Sequence, residues 1–114
     1  MDVVFTERDK FLIVAPAGEI DHHTSIEIRR KIEKAFSRSK ARDIIFDFSR
    51  VEFMDSSGIG IVIGRYRELS MQGGKVYAIN ISGEIGRIFG VSGLARIIPC
   101  YDSLEEVLKN AEGR

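Results

Sequence analysis

The sequence has no tryptophan, one cysteine and two prolines, and its 17 basic and 17 acidic residues cancel to no formal net charge. Each shortage excludes something. A lone Cys100 cannot close an internal disulfide, and no histidine or cysteine cluster stands at metal-ligand spacing, so neither a disulfide scaffold nor a metal site is expected. Balanced charge argues against a nucleic-acid partner, which calls for an excess of Lys and Arg on one face. No apolar run approaches the ~20 residues that span a bilayer. The chain reaches the charged run Glu7-Arg8-Asp9-Lys10 with no basic and apolar leader before it. The expectation is a cytoplasmic protein with no membrane partner.

What remains is an ordinary globular composition: 114 residues, 44% apolar and 30% charged. That length predicts one domain over residues 1–114, able to bury a core without a covalent staple. Val3-Val4-Phe5 and Phe11-Leu12-Ile13-Val14-Ala15 read as antiparallel strands joined by a tight turn near Asp9-Lys10. Thr24-Ser25-Ile26-Glu27 fits a capping box, and Ile28, Ile32, Ala35 and Phe36 follow it at helical spacing. On the outer face, Glu27 and Lys31 are placed for an i,i+4 pair. The run Ile44-Ile45-Phe46-Asp47-Phe48 predicts a central strand covered on both faces.

Residues 49–55 are expected as a connection. From Ser57, Ile59, Val62, Ile63, Tyr66 and Leu69 mark a helix that Gly73-Gly74 stops. Lys75 to Ile79 is the next strand, and Ser82 caps a short helix with Ile85, Ile88 and Phe89 on its apolar face. Ile97-Ile98 reads as a weak last strand before Pro99, and Leu104, Val107, Leu108 and Ala111 as the stripe of a final helix. Strands alternating with helices predict an α/β fold. It has a four- to five-stranded, mostly parallel sheet with an antiparallel N-terminal edge strand, flanked by about four helices.

In such a sheet the functional loops emerge at the carboxyl ends of the strands. Two of them bring Asp21, His22 and Ser56 to one edge. A hydrolase triad is disfavoured: Met54-Asp55-Ser56-Ser57-Gly58 is no Gly-x-Ser-x-Gly elbow, and no second acid is placed to orient His22 or His23. A phosphate cradle is disfavoured as well, because Gly58-Ile59-Gly60 lacks the third glycine of the dinucleotide pattern and Asp55 would repel the anion. Helix capping accounts for Asp55 or Ser56 taken singly. It does not account for Asp55, Ser56 and Ser57 together, nor for Gly58, Gly60 and Gly64, each costing about 1 kcal/mol inside a helix. Close packing or a surface shaped for another protein would both explain that smallness.

Glu19-Ile20-Asp21-His22-His23-Thr24, then Phe53-Met54-Asp55-Ser56-Ser57-Gly58-Ile59-Gly60, Gly64-Arg65-Tyr66 and Ser92-Gly93-Leu94, together resemble the bacterial anti-sigma factor antagonists of the STAS-domain family. The likeness runs over essentially the whole chain and is nearest to the sporulation members of the sigma-F pathway. The resemblance implies a non-enzymatic phosphoprotein that needs no cofactor and is a monomer when free. Unphosphorylated, it would bind an anti-sigma factor that is itself a serine kinase, and so release the sigma factor for transcription. The kinase would phosphorylate Ser56 and switch binding off, and a serine phosphatase would reset it. The implied partner face comprises Asp21, His22, Asp55, Ser56, Ser57, Gly58 and Gly60. An alternative is a STAS-type binding module of a different regulatory or transporter-associated complex. Phosphate on Ser56 would meet a favourable helix start and an unfavourable Asp55, so little change of fold is expected.

Overall fold

The computed structural model describes residues 2–112, and among them seven strands and four helices are formed. β1 (Val3–Arg8) and β2 (Phe11–Pro16) make the expected hairpin, in register from Val3 opposite Pro16 to Arg8 opposite Phe11. Asp9 turns it in the left-handed region, at φ 53°. β2 then pairs in parallel with β4 (Asp43–Asp47), β4 with β6 (Val76–Ile79), and β6 with the two-residue β7 (Cys100–Tyr101). The strand order β1-β2-β4-β6-β7 is therefore parallel except at its N-terminal edge.

The continuous apolar runs of β2 and β4 follow from burial on both faces. Leu12, Val14, Ile44 and Phe46 point to a large core with α1 (His22–Arg38), α2 (Ser56–Met71) and α3 (Gly83–Val91). Phe11, Ile13, Ile45 and Tyr77 point the other way and pack under α4 (Leu104–Glu112) through Val107 and its neighbours Leu104 and Leu108. At the start of β4 the buried Asp43 accepts the Lys75 N–H at 2.9 Å and faces Lys10 Nζ at 3.4 Å, tying the hairpin turn to the entry of β6. On the helical side, Arg65 of α2 reaches Glu33 of α1 at 3.1 Å. The Glu27–Lys31 pair of α1 closes at 3.4 Å as its spacing predicts.

Three expectations are corrected. Residues 49–55 are not a plain connection, because Val51–Met54 forms β5, which pairs in parallel with β3 (Gly18–Ile20) as a separate two-stranded sheet. Neither segment shows a clean alternation, since each is short: β3 buries only Ile20, and β5 only Val51 and Met54 at its ends. Second, α1 begins two residues before Thr24: Asp21 is its cap and Thr24 its third residue, so the capping box is Asp21 with Thr24 rather than Thr24 with Glu27. Third, Ile97-Ile98 is not a strand. Leu94–Arg96 forms a tight helical turn, Ile98 is buried beside it, and the strand comes after Pro99, whose carbonyl accepts the Ala78 N–H at 3.0 Å.

Candidate functional site

The small β3–β5 sheet sets the geometry of the site. Ile20 pairs with Met54, and the Asp55 N–H donates to the Ile20 carbonyl at 3.1 Å. The next residue on each strand is therefore the cap of a helix, Asp21 for α1 and Asp55 for α2, and the two helix starts lie side by side. The edge that the sequence expects to carry Asp21, His22 and Ser56 is built by this pairing.

Asp21 uses its carboxylate locally. Its Oδ1 accepts the His23 N–H at 2.9 Å and the Thr24 N–H at 3.0 Å, while its own N–H donates to Thr24 Oγ1 at 3.0 Å. The Thr24 N–H, then the Thr24 hydroxyl and the His23 N–H, hold its carboxyl below the ordinary value against a smaller desolvation effect. His22 and His23 are exposed in the first turn of α1, their rings edge to face at 5.9 Å.

Asp55 does the same for α2. Its Oδ1 accepts the Ser57 N–H at 2.8 Å, and its carbonyl accepts the Gly58 N–H at 3.0 Å and the Ile59 N–H at 3.5 Å. The amides of Ser57, Gly58 and Ile59 are thus occupied, which weakens the expectation that the helix start would attract an anion at Ser56. Ser56 itself is exposed, whereas Ser57 is half-buried.

The glycines separate by cause. A Cβ on Gly58 would land on Cγ and Sδ of the buried Met54 and lie 3.2 Å from Ile20 Cγ2, so Gly58 lets α2 sit directly on the β3–β5 platform. At Gly60 and Gly64 a Cβ would meet no described atom within 4 Å. Packing explains the first and leaves the other two unexplained.

Beside Ser56 runs a groove of about 280 Å³ between the start of α2 and α3. Its walls include Phe53, Ile59, Ile88 and Val91, with Phe53 45% and Val91 77% exposed. α3 is held there by the buried Ile85 and by Phe89, whose ring meets Phe48 edge-on at 5.4 Å. Sequence reasoning passes over Glu84, Arg87 and Val91 because α3 follows Ser56 by almost thirty residues, and it meets Phe53 only as the start of the motif around Ser56. The one available signal is that Val91 lies outside the apolar set Ile85, Ile88 and Phe89. A larger cleft of about 390 Å³, lined by Tyr66, Ser70, Lys75, Ile97 and others, opens at the other end of α2, away from these residues. Among the described residues no three His, Cys, Asp or Glu side chains form a metal cluster, and no helix is long and apolar enough to cross a membrane.

The sequence profile of the STAS domain matches residues 2–107, the span that holds the mixed five-stranded sheet and both helix starts. The chain belongs to the STAS domain family. Among its relatives, the anti-sigma F factor antagonist of Paenibacillus polymyxa is 36% identical over 101 residues, which is 89% of this chain and 86% of that protein. The solved structure of the anti-sigma factor antagonist SpoIIAA in its unphosphorylated form superposes with a TM-score of 0.82 at 32% identity, covering 99% of this chain and 98% of that one. The phosphorylated form of SpoIIAA, the Bacillus cell fate determinant, gives 0.73 at 32% identity over 96% of this chain and 99% of that one.

Proposed function

We propose that this protein is an anti-sigma factor antagonist that acts by binding rather than by turnover. Unphosphorylated, it engages an anti-sigma factor with serine kinase activity and frees the sigma factor. Phosphorylation of Ser56 ends the complex, and a serine phosphatase restores it. The free protein is a cytoplasmic monomer with neither a nucleic-acid nor a membrane partner. The observation that carries the reading is the position of Ser56: exposed, in the first turn of α2, on the rim of a groove with partly exposed apolar walls. A kinase needs such a hydroxyl accessible, and a binding partner needs such apolar surface to cover.

The partner face in this reading joins Asp21 and His22 from one helix start to Asp55, Ser56, Ser57 and Gly60 from the other, with the buried Gly58 setting their height. A phosphate dianion placed in such a contact would have to give up its water against an apolar surface. A loss of about 2.7 kcal/mol there lowers affinity about a hundredfold. The test is incubation with the anti-sigma kinase and ATP, followed by mapping of the phosphorylated residue. Phosphate is expected on Ser56, with Ser56→Ala binding the kinase yet resisting modification. Phosphate on Ser57 would overturn the assignment.

A further inference from the structure

Charge in the groove beside Ser56 comes from three side chains, Asp55, Glu84 and Arg87, and Arg87 is the single cation among them. Arg87 donates through Nε to Glu84 Oε1 at 3.0 Å and through Nη2 to the same oxygen. Both partners are well exposed, 63% for Arg87 and 49% for Glu84. A pair of this kind is weakly held and readily exchanged. It also leaves much of the guanidinium fork free to bond elsewhere.

A phosphate on Ser56 brings three acceptor oxygens and about two negative charges. The neighbouring helix absorbs them only in small part: the amides of Ser57, Gly58 and Ile59 already donate to Asp55, which leaves the N–H of Ser56 itself. The Asp55 carboxylate repels the group as well. The cation that lines the groove is Arg87, and a phosphate dianion outcompetes a single carboxylate for an arginine fork. We infer that the phosphate carried by Ser56 is received within the same chain by Arg87, which exchanges Glu84 for it and so lays a charged bridge across the groove between α2 and α3. This inference rests on Ser56 being the phosphorylated residue. It explains how one modification can close an apolar docking groove with no rearrangement of either helix, and it turns the released Glu84 into an additional negative charge at the rim.

The experiment uses the full chain with phosphoserine inserted at position 56 during translation, so that no kinase is required. The phosphorus NMR signal is followed through the second ionisation of the phosphate, which lies near pH ~6 in an unperturbed phosphoserine. Asp55 and Glu84 oppose that ionisation and Arg87 favours it, so the reading is taken as the difference between proteins. Arg87→Gln is expected to raise the midpoint by about half a unit or more. Arg38→Gln, at the far end of α1, is expected to leave it in place. The Arg87 Nε–H proton resonance is expected to move with the same midpoint. Equal midpoints in the parent and Arg87→Gln proteins, an equal shift from Arg38→Gln, or an Arg87 resonance indifferent to the phosphate would each overturn the inference. Failure of the kinase to modify Ser56 would instead sink the functional reading and leave these spectra unchanged.

Discussion

At the scale of the residue, Asp21 and Asp55 show how one side chain serves fold and site together. Asp21 caps α1 through two amides, so its removal disturbs the helix as well as any partner contact. Serine separates these effects, since it caps well and carries no charge. Asp21→Ser is expected to keep the thermal midpoint close to that of the parent while weakening capture of the anti-sigma kinase. Unchanged affinity by titration calorimetry would confine Asp21 to capping. The same carboxylate predicts a pH dependence. Its pKa lies below the ordinary 3.8 in the folded protein, so the unfolded chain takes up the proton first as pH falls. The stabilisation is complete above about pH 4 and is lost as pH falls through the folded value. Urea midpoints measured from pH 5 to pH 3 should therefore fall less steeply in Asp21→Asn than in the parent.

At the scale of the element, α2 carries glycines of two kinds, and alanine distinguishes them. Gly58→Ala places its Cβ on Cγ and Sδ of the buried Met54, which must shift to make room, and overpacking of this sort costs about 1–3 kcal/mol. Gly60→Ala points into open space in a helix interior and is expected to stabilise by up to about 1 kcal/mol. If Gly60 lies under the partner, the same variant binds the anti-sigma kinase more weakly while melting at a higher temperature. Denaturant unfolding and calorimetry on the two variants check both signs. The elements also show what a sequence can reveal of its own fold. β2 and β4 are legible as continuous apolar runs because both of their faces are buried, and α4 because its one covered face imposes a period. β3 and β5 are not, because three or four residues of which one or two are buried carry no period. Asp21 and Thr24 are both good caps, and the choice between them falls to strand β3, which extends the chain as far as Ile20. Asp55-Ser56 is legible from its own chemistry. Arg87 and Val91 become part of the site through the packing of Phe89 on Phe48, a long-range contact that no local pattern announces.

At the scale of the whole molecule, the switch is expected to act with the fold held constant. Ser56 belongs to neither hydrophobic core. The hydrogen bonds that start α2 come from Asp55 and do not involve the Ser56 hydroxyl. A charge added at Ser56 therefore removes no buried contact and breaks no cap. It changes the field over one groove, where Phe53 and Val91 are exposed and a docked partner would exclude water. Charge stripped of its water in such a contact costs several kcal/mol, whereas the same charge facing solvent costs little. Ser56→Asp should accordingly keep the far-ultraviolet circular dichroism spectrum of the parent and a thermal midpoint within about 4 °C of it, the shift that about 1 kcal/mol produces in a domain of this size. Its affinity for the anti-sigma kinase should fall about a hundredfold, equivalent to about 2.7 kcal/mol. A collapsed spectrum would mean that phosphate acts by unfolding the start of α2, and the interface account of the switch would then be wrong.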